Sequence, residues 1–406
     1  MKVVTLGNHY VSDFIKSQSD YEGRKKYSLD LILNEEIGAP HLTEIPPSET
    51  MWGQYWYRSG INATMTKELG SIVEEITSRI KFKEGDIWLD IACNDGTLLK
   101  QVPNKFIKLG IDPADDTFVA ESSKVATVVQ DYFSYGAYQK TGYGDKKAKV
   151  ITTIAMFYDL LDPHPFIKDV IRVLDNNGIW VLQLSYTPLM IKQLAFDNIC
   201  HEHAYYHSME SFKKLFEQHD LKIVDCSLND VNGGSFRVYV QKNIADVTSF
   251  GTSPLRDVCN FRVQSLLDYE NKHYNMTDIK VWEKFQSDIE DLKEKTVNFI
   301  KDAKAKGKVV CGYGASTKGN TLLQWFGLDH TLIDAIAERS PYKFGLKTVG
   351  TNIPIISEEE MRKLNPDYML VLPWHFISEF IQREDEYLTN GGKFIVPCPK
   401  FEIIGK

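Results

Sequence analysis

The densest group of reactive side chains is Cys200-His201-Glu202-His203-Ala204-Tyr205-Tyr206-His207, which carries three of the ten histidines of this 406-residue chain. His201, His203 and His207 have the side chains of metal ligands, and Glu202 offers an oxygen beside them. They are equally the hydrogen-bonding histidines of an ordinary loop. A third chemistry is general base catalysis. Removing a proton from carbon beside a carbonyl needs a base that titrates near the working pH, which imidazole does. Glu202 would then orient the ring or share the proton, and Tyr205, Tyr206 and His207 would hold the substrate. The residue types alone leave all three open.

A second set of acids falls at strand ends. The apolar run 87–91 ends in Asp90 and leads through Ala92-Cys93-Asn94-Asp95-Gly96 into a helix. A carboxylate there can order the loop or meet the amino group of a cofactor. Asp112 closes the next strand in Gly110-Ile111-Asp112-Pro113, about 20 residues on, the interval at which dinucleotide-binding folds place a ribose-binding acid. Its two oxygens suit a pair of ribose hydroxyls. Asp131, in Gln130-Asp131-Tyr132 after the third strand, is placed for an adenine ring. Ligands of parallel sheets bind at this carboxyl edge. Ala92 and Asn94 stand where glycines would let a pyrophosphate approach the backbone, which counts against NAD. The acid series favours S-adenosylmethionine.

The elements that must position these groups are legible as alternation. A helix is expected over 63–80, strands over 87–91, 108–111, 126–129, 150–154 and 179–184, helices over 97–102 and 165–174, and two more strands over 221–225 and 235–240. Strands alternating with helices imply a parallel sheet covered on both faces. A long charged helix over 281–304 reads as a bridge to a second, smaller α/β unit from 308 onward, with strands over 309–312, 332–337, 368–372 and 393–396 and helices over 320–326, 358–364 and 376–387. Residues 1–60 read as an irregular, strand-poor lead containing the aromatic cluster Trp52, Tyr55, Trp56 and Tyr57, and 244–265 as less regular. Phe157, Tyr158 and Leu160 read as core or pocket wall, and Asp159, Asp162 and His164 as a solvated turn, with the edge of the active site as the alternative.

Composition narrows the class. Hydrophobic residues make up 43% and charged residues 25%, and the net charge is −8 with no basic face for nucleic acid. No apolar run is long enough to span a bilayer and the N-terminus lacks a secretory signal, so a cytoplasmic location without membrane attachment is expected. The six cysteines form no Cys-x-x-Cys pair, which argues against a disulfide framework or structural zinc. Oligomeric state is not written in the chain.

Phe196-Asp197-Asn198-Ile199-Cys200-His201-Glu202-His203 resembles the signature of bacterial sugar C-methyltransferases, which act on nucleotide-linked 4-keto-deoxysugars. Tyr57-Arg58-Ser59-Gly60, Asn94-Asp95-Gly96-Thr97, Gly233-Gly234-Ser235-Phe236-Arg237, Gly312-Tyr313-Gly314-Ala315-Ser316-Thr317-Lys318-Gly319-Asn320-Thr321 and Gly350-Thr351-Asn352-Ile353-Pro354 are similar to further motifs of that family. The resemblance implies a Rossmann-like class I methyltransferase domain over 61–245, a C-terminal α/β domain over 246–406 that helps bind the nucleotide sugar, and an N-terminal zinc module over 1–60. That module is degenerate here: Asn34 and Ile37 stand near where a cysteine pair would lie, so it should keep some shape without metal. The family often has Tyr where this chain has Cys200, which leaves the substrate open.

By resemblance His203 is the base, with Glu202, Tyr57 and His201 as catalytic partners. The cofactor contacts implied are Asp90, Cys93, Asn94, Gly96, Asp112, Pro113, Asp131, Tyr132, Ala155 and Met156. The substrate contacts implied are Arg58, Ser59, Tyr206, Gly234, Ser316, Lys318, Asn320, Arg339, Tyr342 and His375. The expected reaction is C-methylation of an enolate made by His203. O- or N-methylation, and a non-methylating nucleotide-sugar or NAD protein, are the rivals.

Overall fold

A computed structural model describes residues 1–47, 50–51, 57–244 and 253–406. Trp52, Tyr55 and Trp56 of the aromatic cluster, and the expected 245/246 boundary, lie outside the described residues.

The N-terminal segment departs from the strand-poor expectation. It contains β1 (Lys2–His9), β2 (Phe14–Ile15), β3 (Tyr27–Asn34) and β4 (Ala39–Leu42), with β1, β3 and β4 forming an antiparallel sheet. Register shifts within β1, between Lys2 and Val4 and between Thr5 and Asn8, break the period-two pattern that marks a half-buried strand.

The central sheet is seven-stranded. Its strands are β5 (Ile87–Ile91), β6 (Ile107–Ile111), β7 (Thr127–Val129), β8 (Ala148–Ile154), β9 (Leu174–Ser185), β10 (Leu221–Asn229) and β11 (Ser235–Lys242), in the spatial order β10-β11-β9-β8-β5-β6-β7. The strands β5 to β9 run parallel, and β11 is antiparallel to both its neighbours. All five residues of β5 are buried, as a strand covered on both faces requires. The order reverses between β5 and β8, the switch point at which such sheets open a ligand crevice. The helix Ala63–Arg79 is capped by the Asn62 side chain and lays Met65, Leu69, Ile72, Val73 and Ile76 inward.

The C-terminal sheet comprises β12 (Val310–Tyr313), β13 (Ile336–Glu338), β15 (Ile355–Ser357), β16 (Tyr368–Val371), β17 (Lys393–Val396) and β18 (Glu402–Ile404), ordered β15-β13-β12-β16-β17-β18. It is parallel except at β18, with its own switch point at β12. The short strand β14 (Lys347–Thr348) leaves it to pair with β2.

Of the two connecting helices, the first differs from expectation. Ser253–His273 is a helix where a less regular stretch was read; its Glu270 accepts hydrogen bonds from the Tyr186 hydroxyl at 2.6 Å and the Met209 and Glu210 amides at 2.6 and 2.9 Å, which docks it on the central sheet. Ile279–Ala305 is the long helix expected over 281–304, and its apolar face is packed. It buries Trp282, Phe285, Ile289, Leu292 and Ile300, and Gln286 exchanges hydrogen bonds with the Thr5 backbone. One continuous core runs from Val4, Leu6, Leu29 and Leu31 through Phe196 and Trp282 to Val310, Leu322 and Met369, so the N-terminal sheet is held by apolar packing on the C-terminal unit.

Candidate active site

At the end of β5 the chain must turn sharply. Ala92 and Asn94 adopt left-handed backbone, φ 59° and 51°, and Gly96 follows at 75°. Asn tolerates this conformation better than most residues, and here its side chain also works: Nδ2 donates to the Tyr57 carbonyl at 3.1 Å and Oδ1 accepts from the Ser59 amide at 3.1 Å. A Cβ on Gly96 would lie 2.9 Å from the Ser122 backbone, so only glycine fits. Asp112 closes the loop from below, accepting the Asn94 and Ala114 amides at 2.7 Å each. Each of its oxygens keeps a second lone pair for a ligand hydroxyl. Burial raises the Asp112 carboxyl against those two amide bonds. Burial pushes Asp90 up to about 7, with the Thr152 hydroxyl at 2.6 Å opposing and the Asp112 charge adding.

This loop forms one wall of a cavity of about 610 Å³, within the range of small-molecule sites. Asp90, Cys93, Asn94, Asp112, Pro113, Tyr132, Ala155 and Met156 line it, as do Tyr57, Ser59, Glu202, His203 and Lys318. Met65, Leu69, Leu98, Ile111, Phe133 and Ile154 add an apolar surface. Free carboxylate lone pairs beside an apolar slot fit the ribose and adenine of an adenosyl group.

The opposite wall is built by the His-Glu-His segment, held from two sides. Toward the N-terminal sheet, the Leu42 amide donates to the Ala204 carbonyl and the Tyr206 amide to the Pro40 carbonyl, both at 2.9 Å, and Tyr205 bridges to His41. Toward the C-terminal unit, the turn Phe196–Asn198 is gripped. The Trp374 indole donates to Asp197 Oδ2 at 3.1 Å, the Lys318 ammonium donates to Asn198 Oδ1, and Phe196 packs on Trp325 and Phe326. From that turn the Asn198 carbonyl meets His203 Nδ1 at 2.8 Å. A carbonyl only accepts, so Nδ1 carries the proton and Nε2 carries the lone pair. The ring also lies against Tyr158, with centroids 4.0 Å apart. Burial, reinforced by Lys318, pushes His203 down to about 3, so it is neutral at physiological pH. Burial pushes Glu202 up to about 7, opposed by the Lys318 charge.

The three histidines of the segment do not converge. His201 meets the Tyr27 carbonyl at 3.1 Å, under the N-terminal sheet and away from the cavity. His207 meets the Ser211 hydroxyl at 3.4 Å among Phe157 and Phe212. Among the described residues no group of three or more His, Cys, Asp or Glu is arranged to hold a metal ion.

Several expected contacts lie elsewhere. Asp131 points outward and pairs with Lys140 at 2.7 Å. Arg58 stacks on Phe118 and donates to the Thr117 hydroxyl. Tyr206 is buried behind the segment, its hydroxyl 3.4 Å from the Asn198 carbonyl. Gly234, at φ 109°, allows a turn whose Cβ would strike Leu189. Ser316 caps the helix Thr317–Phe326 and Asn320 donates to the Asp13 carbonyl at 3.1 Å. His375 is wedged between Trp374 and Phe376. Arg339 faces Glu379 on the surface, and Tyr342 is 69% exposed. Conversely, Asp159 is not a solvated turn acid: it lines the cavity, and so do Tyr158, Ser12 and Thr317.

Residues 61–225 match a family model described as a methyltransferase domain, and residues 230–399 match one described as a C-methyltransferase C-terminal domain. The C-methyltransferase NovU of Streptomyces niveus is 26% identical over 408 residues, spanning 100% of this chain and 94% of that protein. Solved structures that superpose in part include an S-adenosylmethionine-dependent methyltransferase of Clostridium acetobutylicum (TM-score 0.33, 13% identity, 44% of this chain and 92% of that one) and the N-methyltransferase NodS of Bradyrhizobium japonicum (TM-score 0.34, 11% identity, 45% and 99%). With a methyltransferase domain and a C-methyltransferase C-terminal domain matched in order, and a C-methyltransferase relative aligned along the whole chain, this protein is similar to C-methyltransferases and is an S-adenosylmethionine-dependent methyltransferase.

Proposed function

We propose that the protein methylates a carbon atom of a nucleotide-linked ketosugar by way of an enolate. The observation that carries this reading is His203: a neutral imidazole whose tautomer is fixed by the Asn198 carbonyl, in the wall of the cavity that Asp90 and Asp112 also line. A methyl transfer to oxygen or nitrogen needs at most a hydroxyl or amine proton removed. Burial keeps His203 a neutral proton acceptor but lowers its basicity, so an ionised Glu202 has to stabilise the imidazolium for a carbon-bound proton to be removed.

Bound adenosylmethionine would supply an electrophilic methyl group. Asp112 would hold the ribose hydroxyls and Asp90 the amino end, while Phe133 and Tyr132 flank the adenine. His203 Nε2 would take the proton beside the ketone. Glu202, ionising near neutrality, would offset the charge that the imidazolium acquires in a dry site. On this reading residues 61–245 bind the cofactor, and residues 246–406 reach the sugar or its phosphates through Lys318 and Thr317. The sugar class rests on the motif resemblance around His203.

The test is incubation with isotopically labelled adenosylmethionine and a panel of nucleotide ketosugars, read by mass spectrometry, with deuterium wash-in at the carbon beside the ketone. Labelled product with a new carbon–carbon bond, and wash-in without methyl transfer when adenosylhomocysteine is present, are expected. Methyl on oxygen or nitrogen with no wash-in sinks the enolate reading.

A further inference from the structure

Asp159 is the one acid of the cavity wall that the reaction above leaves without a task. It ends the turn Phe157–Asp159, which follows β8 and is closed by its amide donating to the Met156 carbonyl at 2.9 Å. The residue before it, Tyr158, lies against the His203 ring, and the Tyr158 carbonyl accepts the Tyr205 amide at 3.0 Å. The backbone at Asp159 is thereby tied on both sides to the segment that carries the base. The residue lines the cavity, and its Oδ1 is shut off from solvent and has no hydrogen-bond partner among the described residues. A buried polar atom without a partner costs roughly 1–3 kcal/mol. A rotation of the side chain toward the cavity that the residue lines would let a ligand satisfy that atom.

We infer that Asp159 is a further catalytic residue, a carboxylic acid that keeps its proton and donates it in a hydrogen bond to the ketone oxygen of the substrate as that oxygen becomes an enolate. This deepens the enolate reading and rests on it. Burial, with the charge of Glu202 adding, raises the Asp159 carboxyl well above the ordinary range, which favours the acid form. The balance is simple. The carbon–hydrogen bond breaks as His203 Nε2 takes the proton, the bonding pair becomes the carbon–carbon double bond, and the carbonyl π pair moves onto oxygen. Asp159 makes and breaks no covalent bond; its O–H strengthens its hold as the negative charge grows. Other donors line the wall, Tyr57 among them; the Lys318 ammonium keeps N–H groups beyond the one given to Asn198, whereas the Thr97 hydroxyl is taken by Asp95 and the Ser12 hydroxyl by the Thr317 carbonyl. A neutral acid also suits a site already holding Glu202, because a second carboxylate would repel the enolate.

The experiment measures deuterium wash-in to a ketosugar that the wild-type protein exchanges, with adenosylhomocysteine present, for Asp159→Asn and Asp159→Ala across pH. Asparagine keeps a donor and cannot ionise; alanine has none. Asp159→Ala should exchange about 100-fold more slowly than wild type, the usual loss for one such donor. Asp159→Asn should stay within about tenfold, and should lack the decline at high pH that wild type shows as Asp159 ionises. Adenosylhomocysteine affinity, read by calorimetry, should be unchanged in both, which a merely unfolded variant would not allow. Exchange by Asp159→Ala near the wild-type rate, or Asp159→Asn as slow as Asp159→Ala, overturns the assignment of Asp159 alone. A wild-type protein that exchanges no ketosugar in the panel counts against the enolate reading itself, whatever the variants do.

Discussion

The two parallel sheets of this molecule share an architecture and differ in what they do with their open edge. In the central sheet the switch point at β5 is left free: Asp90 and Asp112 keep lone pairs, and the loop between them lines the cavity. In the C-terminal sheet the matching edge at β12 is filled. The Tyr313 hydroxyl is bonded to Glu358 at 3.0 Å and Glu384 at 2.7 Å and receives the Arg383 side chain at 3.0 Å, while Ser316 is spent on capping its helix. Among the described residues, Thr317 and Lys318 alone reach the cavity from there. One edge therefore binds and the other grips, and what it grips is the turn Phe196–Asn198 that sets the base. A repeated fold needs a ligand crevice only once; the second copy can spend its edge on holding the first.

The comparison breaks most clearly at the base itself. His203→Gln should lower wash-in and methyl transfer by about 100- to 10,000-fold, the span of general-base contributions, with cofactor affinity intact by calorimetry; near wild-type turnover would remove His203 from its role. On the binding edge, Asp112→Ala should weaken adenosylhomocysteine by more than about tenfold, because two backbone amides also lose their acceptor. Unchanged affinity would move the ribose contact elsewhere. On the gripping edge, Trp374→Phe leaves Asp197 Oδ2 without its indole donor and should cut turnover about tenfold while cofactor binding holds. Equal losses in both would show a general disruption instead.

A subtler probe is pH. The ammonium of Lys318 favours the carboxylate of Glu202 and disfavours the imidazolium of His203. Glu202 holds its proton to about pH 7, so the ionised form that assists the base accumulates above that, and activity should rise through neutrality. Lys318→Met removes the cation, raises both groups, and should move that rising limb to higher pH; a shift the other way contradicts the assignment. The smallest effect is expected at Asp131→Asn, where an exposed pair with Lys140 is lost. Cofactor affinity there should change less than twofold.

Much of this was legible before any coordinates. The alternation of strands and helices marks two α/β units, because buried parallel strands read as short apolar runs. Asp90, Asp112 and Lys318 were legible because each closes a strand or opens the following helix. The N-terminal sheet was not, since bulges scramble the alternation of β1 and its apolar face covers another part of the chain. Asp159 resembled a turn acid because burial by a distant segment leaves no local mark. His201 and His203 are alike in sequence and separate only when one ring meets Tyr27 and the other Asn198. Arg339 and Tyr342 needed three dimensions to be placed outside.

The pairing of β2 with β14 joins Phe14 and Ile15 to Thr348 and Lys347, residues from near opposite ends of the chain. Contacts so far apart in sequence form late and slowly. The ribosome must release Lys318 before it and Ser12 can share a wall, so a nascent chain containing only the central sheet would hold the cofactor loop without the grip on its base. Catalytic competence would then arrive abruptly, once Lys318 and Trp374 have emerged, rather than growing with each strand added.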